Sequence, residues 1–454
     1  MMDATASVTK GREARAAVRR ADLGVYEPAP GRRDPVEILI GQGASRQQDL
    51  LPIRYGRMSA SPFAFLRGAA AVMAADLAPS PVSGMRVQAI GDAHISNFGV
   101  FATPERRLVF DVNDFDETLP APWEWDVKRL VASVAVAAGQ NGVRRKDAAA
   151  AAARGAAAYR RAILSFAAQT TLDVWYAHLD VQDLIQQEIK ARRRTREQKA
   201  LDKIRMRTSA QVAGKLTERV DGRPRFRSLA PLVTPLGELL ADDEVEAATD
   251  MVERGFAAYR ETLAPERRRL LDRFHLVDLA RKVVGVGSVG TRCIVGLFIG
   301  HDDADVLVLQ VKEAERSVLE PYAGRSSYRH FGARVVNGQR TVQAASDIFL
   351  GWNTQPGGQH YYWRQLRDMK ASAEISLLGQ KQFDAYVRAC AWCLAHAHAR
   401  SGDPIAIAAY LGSGTQFDEA MGVFAAAYAR QTEADWGALE QAIADGRVEA
   451  VSDI

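Results

Sequence analysis

The stretch "KVVGVGSVGTRCIVGLFIGHDDADVLVLQVKEA" (282–314) decides how this chain folds. Its glycines at 285, 287 and 290 spell G-x-G-x-x-G, a spacing that different folds use to approach phosphate. If these glycines opened a helix, a doubly wound sheet with a dinucleotide would follow, with an acidic residue about 20 positions on. The residues after them, "TRCIVGLFI", are poor helix starters and good strand formers. The glycines therefore lie in a β-turn-β, where bare backbone can come close to a triphosphate. A hairpin around "GHDDAD" follows, and a third strand, "VLVLQVK", ends at Lys312. The expectation is a small antiparallel β region that offers Gly285, Gly287, Ser288 and Gly290 in its first turn and Lys312 on its third strand. A plain glycine-rich hairpin with a surface lysine is the bland alternative.

Earlier in the chain, "AIGDAHISNFGVF" (89–101) and "RRLVFDVNDFDET" (106–118) each end a short apolar strand in carboxylates. Asp92 and Asn97, in one loop, can point at a single spot. In phosphoryl transfer a carboxylate orients the attacking hydroxyl, and an Asn amide oxygen binds Mg²⁺. Magnesium takes few protein oxygens and completes its shell with water and phosphate. A second carboxylate must reach it from a neighbouring strand. Asp114 is placed for that, with Asp111, Asp116 and Glu117 nearby. His94 reads as a residue that fixes the loop's shape by hydrogen bonding to backbone, in preference to a metal ligand.

"GDAHISN" followed by "DFD" resembles the catalytic and metal motifs of the aminoglycoside phosphotransferase and choline kinase branch of the protein-kinase-like fold, written G-D-x-H-x-x-N and D-[FW]-[DE]. That branch also carries an aspartate on the next helix that supports the catalytic loop. Asp126 in "WEWDVKRL" matches it. The resemblance implies Asp92 as catalytic base, Asn97 and Asp114 as magnesium ligands and Asp126 as structural anchor. It also implies ATP and Mg²⁺ as cofactors, Lys312 on the α- and β-phosphates and a small-molecule acceptor. From "RMSASPFAFLRG" (57–68) through "NDFDETLPAPWEWDVKRL" (113–130) the chain is also similar to an uncharacterised bacterial group, domain-of-unknown-function family 2252.

In kinases the glycine loop and its lysine precede the catalytic loop; here they follow it. A circular permutation restores the order, and compact domains with neighbouring termini tolerate one. The expected fold is thus α+β: a two-lobed, circularly permuted, kinase-like protein with a mostly helical large lobe and a small antiparallel β lobe. Its divisions would be a lead-in at 1–56, the catalytic-loop and helical region at 57–275, the glycine-loop lobe at 276–375, and returning helices at 376–454. Two departures stand out. The helix expected after Lys312, in "FGARVVNGQRTVQAASD" (331–347), holds no glutamate to pair with it, which leaves Gln339, Gln343 or Glu320. Arg292 stands where a small apolar residue is usual.

Composition bounds the rest. At 454 residues, 47% hydrophobic and 25% charged, the chain reads as soluble and globular. A net charge of +4 makes no general case for nucleic acid. No apolar run reaches about 18 residues, so no membrane span is expected. Three cysteines form no disulfide framework and fit a reducing cytoplasm. Residues 1–50 read as a loose lead-in, and 145 to about 270 as almost entirely helical. "KARRRTREQK" (190–199) reads as a solvated helix face, "YYW" (361–363) as strand packing, and Cys390, Cys393, His396 and His398 as buried helix residues, not a zinc site. Arg54, Arg57 and Arg67 admit two readings, contact with an anionic substrate or salt bridges to local acids. The function expected is an ATP- and Mg-dependent phosphotransferase. Its rivals are a nucleotide-binding regulatory module without transfer, adenylyl transfer from the same site, and a metal-dependent hydrolase using the carboxylates alone.

Overall fold

The computed structural model describes residues 3–183, 214–366 and 371–452. The stretch 184–213, including the basic run 190–199, therefore lies outside the described residues. Two short ladders carry the carboxylate motifs. Strand β1 (Arg86–Ala89) pairs antiparallel with β4 (Leu119–Pro122). Strand β2 (Phe98–Ala102) pairs with β3 (Leu108–Val112), whose far edge meets β5 (Leu179–Asp180). The helix Trp123–Gln140 follows β4 at once and is buried along most of its length. The long helices Arg145–Ala167 and Gln416–Ala444 pack against it. Alanines at 148, 151, 152 and 156 let these axes approach closely, and Trp123 stacks parallel to Tyr159 with ring centres 5.8 Å apart.

The second half of the chain builds one six-stranded antiparallel sheet. A hairpin of β6 (Thr217–Val220) and β7 (Arg223–Phe226) precedes it. Its strands are β8 (Val233–Pro235), β9 (His275–Lys282), β10 (Cys293–Ile299), β11 (Val306–Ala314), β12 (Gly351–Thr354) and β13 (His360–Gln365), in the order β12-β13-β11-β10-β9-β8. Alternation along β11 sends Leu307, Leu309 and Val311 into the core beneath the helix Asp242–Arg260. Val308 faces the opposite side, and Gln310 and Lys312 follow it by the same period of two. The "YYW" segment packs as a strand, with Trp363 stacked on Tyr259 at 4.6 Å.

Three expectations are corrected. Residues 3–50 are no loose lead-in: helices Ala4–Ala17 and Pro35–Gly43 are N-capped by Asp3 and Asp34, and the first packs on the helix Pro404–Leu411. Their small residues are contact surfaces; a side chain at Gly11 would strike the Ala406 carbonyl. The span 145–270 is interrupted by β5, β6, β7 and β8, segments too short to offer much alternation to read. Strand β8 joins the six-stranded sheet, and the helix Asp242–Arg260 packs on it, both earlier than a boundary at 276. Asp278 accepts the Phe226 N–H at 2.6 Å, tying the β6–β7 hairpin to β9. Cys390 and Cys393 are buried free thiols, and Cys393 donates to the Phe110 carbonyl at 3.2 Å. Among the described residues no helix is long and apolar enough to cross a membrane.

Candidate active site

The loop after β1 is set by backbone geometry and one carboxylate. Gly91 has φ +81°, and a Cβ there would lie 2.5 Å from the Glu117 carbonyl oxygen. Asp126, in the first turn of its helix, accepts the N–H groups of Ile90 (2.7 Å) and Gly91 (2.9 Å). Its Oδ2 also meets His398 Nε2 at 3.2 Å, while Tyr159 OH contacts the other ring nitrogen at 2.7 Å. The anchoring position expected of Asp126 is therefore occupied, and His398 is part of the anchor. One turn along the same helix, Arg129 donates to Asp92 Oδ1 from Nε (2.9 Å) and Nη2 (2.7 Å). Asp92 Oδ2 is left facing the cleft, 3.6 Å from His94 Nε2. Burial pushes the His94 imidazole down to about 4, so it is neutral at pH 7. Its Nδ1 has no partner, and it is the His94 backbone that shapes the loop, through its N–H to Asp92 O and its carbonyl to Asn97 N–H.

Asn97 joins the two acidic loops. Its Nδ2 donates to the carbonyls of Asp92 (3.0 Å) and Asp114 (3.1 Å), which leaves Oδ1 as the lone-pair side of the amide. The Asp114 carboxylate is 39% exposed, with Oδ2 3.8 Å from Lys312 Nζ. Asp116 lies deeper. It takes Lys312 Nζ and Ser288 Oγ (3.1 Å) on Oδ2, and the Tyr362 hydroxyl (2.7 Å) on Oδ1. Lys312 also donates to Ser288 Oγ at 2.7 Å. Burial raises Asp116, but the charge of Lys312 and hydrogen bonds from Lys312 and Tyr362 outweigh it and hold the carboxyl below its usual range. Burial likewise opposes charge on Lys312, and Asp114 and Asp116 outweigh it, raising the amine. Asp111, by contrast, is buried on β3, where desolvation pushes it up to about 7.

The acidic partner of Lys312 is thus Asp116, 196 positions away, and not Gln339, Gln343 or Glu320. The helix Phe331–Val342 faces the 112–118 segment with donors instead of a carboxylate. Arg334 donates to the carbonyls of Thr118, Asp116 and Glu315, and Gln343 donates to Val112 O at 2.7 Å. The second acid of "DFD" was the available signal for Asp116; nothing local marked Arg129.

The glycine turn closes the site. Val286–Ser288 form a single 3₁₀ turn, Gly285 leaves open space where a side chain would stand, and the Gly290 carbonyl accepts the Gln47 N–H at 2.8 Å. Gly287 lies over the Arg67 carbonyl, and Arg57 donates to Val284 O at 2.7 Å. Arg292 points away, paired with Glu313 at 3.1 Å. One cleft of about 760 Å³ is lined by Asp92, His94, Asn97, Asp114 and Asp116 together with Gly285, Gly287 and Ser288. Lys312 supports it from beneath through Asp116 and Ser288. Among the described residues no three His, Cys, Asp or Glu side chains cluster as a metal cage. Asn97 and Asp114 offer the sparse hard-oxygen set that suits Mg²⁺ completed by phosphate and water.

Fold and site together define an α+β protein of helical bundle and antiparallel sheet, with an acidic loop and a glycine turn sharing one cleft. The chain belongs to domain-of-unknown-function family 2252, uncharacterised proteins conserved in bacteria, whose profile matches residues 46–442. No curated protein and no solved structure matches the chain significantly.

Proposed function

We propose that the protein is an ATP- and magnesium-dependent phosphotransferase of circularly permuted, kinase-like architecture, acting on a hydroxyl of a small-molecule acceptor. The carrying observation is the convergence of two motif sets, far apart in sequence, on one cleft. Read from β9, the chain gives glycine turn, lysine strand, helix, two strands and the helix Gln380–Ser401; two further helices, the N-terminal helices and β1 come between that helix and the Asp92 loop and Asp114. The motifs, though not every element between them, then follow the kinase order once the ends are joined. Contacts between the chain's two end regions favour the permutation: Arg447 pairs with Asp34 and Glu37, and Val451 N–H donates to Pro52 O at 2.9 Å.

Mg-ATP would supply the phosphoryl group and the cation that neutralises it. Asn97 and Asp114 would hold the cation, the bare backbone at Gly285 would admit the phosphates, and Lys312 would turn from Ser288 toward them. Asp92 would orient the acceptor hydroxyl. Arg129 fixes one of its oxygens and leaves the other toward the cleft, which suits a loose transition state where orientation matters more than proton abstraction.

Isothermal titration with ATP, with and without Mg²⁺, tests this reading. Magnesium-dependent binding should weaken in both Asp114→Ala and Lys312→Ala, while Asp92→Asn should bind normally and transfer nothing. Absence of wild-type binding at millimolar ATP would sink the proposal. Binding without any transfer would favour the regulatory module, and release of pyrophosphate in place of ADP would favour adenylyl transfer.

A further inference from the structure

The N-terminal helices put three guanidinium groups on one wall of the cleft. Arg54 comes from the helix Leu51–Ser59, Arg67 from the helix Pro62–Gly68, and Arg46 from the turn before them. Arg54 is 0% exposed. Its Nη2 donates to Gln42 Oε1 and the Gly68 carbonyl, both at a long 3.2 Å, while its Nε and Nη1 are buried without any partner. The Nε groups of Arg46 and Arg67 are orphaned in the same way.

Three other arginines of low exposure are neutralised by carboxylates, whereas the buried Arg334 is held by three carbonyls. Arg32 lies between Asp76 and Asp435, Arg160 pairs with Asp418, and Arg129 pairs with Asp92. Among the described residues no carboxylate comes within ion-pair distance of Arg46, Arg54 or Arg67; Glu117 and Glu315 act on Arg46 and Arg54, Asp116 on Arg46 and Asp92 on Arg67 only from farther off. Salt bridges to local acids, one of the two readings of Arg54 and Arg67, therefore do not form. Burial and the like charge of Arg46 pull the Arg54 guanidinium down to about 9. A buried cation without a counter-charge is costly, and an incoming oxyanion would remove that cost. Guanidinium forks are the side chains best shaped to take one.

The location narrows the ligand. Arg46 donates to the Val289 carbonyl of the glycine turn, and Gly287 lies over the Arg67 carbonyl. The neighbouring Leu66 carbonyl accepts from Arg129, the residue that clamps Asp92. The three arginines thus stand between the glycine turn and the Asp92 loop, where an acceptor would have to enter. We propose that Arg54, flanked by Arg46 and Arg67, is an anion subsite that takes a phosphate or carboxylate group of the acceptor, making the substrate an anionic hydroxy compound and not a polycation. The acceptor assignment rests on the phosphotransferase reading; the subsite itself does not.

Titration of the full chain with inorganic phosphate, in the absence of nucleotide, tests it. Wild type should bind saturably, and Arg54→Gln and Arg67→Gln should each weaken binding about tenfold or more, the loss of a charge-assisted hydrogen bond. Arg67 lies nearer the surface, so Arg67→Gln carries the test if Arg54→Gln fails to fold. Both variants should keep wild-type affinity for Mg-ATP. No phosphate binding by wild type would overturn the subsite. A fall in Mg-ATP affinity as large as the fall in phosphate affinity, with ATP displacing phosphate, would assign the arginines to the nucleotide and overturn the acceptor assignment. Phosphate binding lost in the variants, in a protein that binds no ATP, would uphold the subsite while the phosphotransferase reading fell.

Discussion

Lys312 is 1% exposed yet carries its charge, because Asp116 bonds it directly and Asp114 stands behind. Removing one partner of a buried pair leaves an uncompensated charge, so Asp116→Ala should destabilise the fold by about 3 kcal/mol, the low end expected for a buried pair since Asp114 takes up part of the charge. Adding Lys312→Met should restore much of that loss, because the stranded ammonium is then gone. Urea denaturation of both single variants and the double variant measures this. Additive losses would mean that the two side chains stabilise the protein independently. The pairing shows how far local sequence can be read. Asp92, Asn97 and Asp114 lie in short motifs whose spacing already aims them at one point. Asp116 and Ser288 meet Lys312, and Tyr362 meets Asp116, only through the fold, and the clamp of Arg129 on Asp92 needs a helix register that periodicity does not reveal.

The element that aims Asp92 is the turn between β1 and the 3₁₀ turn Ile95–Asn97, and its pivot is Gly91. Gly91→Ala meets two penalties: a left-handed backbone, roughly 1–2 kcal/mol for an L-residue, and a Cβ 2.5 Å from the Glu117 carbonyl. Gly84 separates them. It has φ +79° with nothing within 4 Å of a Cβ, so Gly84→Ala should show the backbone penalty alone. Thermal unfolding should therefore place Gly91→Ala below Gly84→Ala, and only Gly91→Ala should lose the proposed phosphoryl transfer. Equal melting points would mean that the Glu117 carbonyl yields freely. Elements with strong periodicity were legible: β10 and β11 from their branched residues, and the helix Gln380–Ser401 from its apolar spacing. The β6–β7 hairpin and β8 were not, because their stability comes from pairing with β9 and from Asp278, which local composition cannot show.

At the scale of the whole molecule, residues 3–45 lie outside the matched family profile yet are fastened to its core. Arg32 makes that fastening. Its Nε and Nη2 reach Asp76 at 2.6 and 2.8 Å, and its Nη1 and Nη2 reach Asp435 at 2.9 and 2.6 Å. One guanidinium thus ties the N-terminal segment to a helix of the large core and to the last helix of the chain. Both carboxylates are only 5% exposed at the side chain. Burial already raises the Asp435 carboxyl, and Arg32 is the chief opposing influence. Arg32→Ala leaves two buried carboxylates facing each other without a cation, which should destabilise the fold by about 3–5 kcal/mol at pH 7. The sign of its pH dependence follows. Without Arg32 the folded-state Asp435 carboxyl titrates still further above its unfolded value, so the folded state takes up a proton more readily, and its deficit shrinks as pH falls. Melting curves of wild type and Arg32→Ala at pH 7.5 and pH 5 should therefore draw together at the lower pH. A gap that stays constant would assign the loss to packing of the arginine stem, and a gap that widens would contradict the proposed charge balance at this junction.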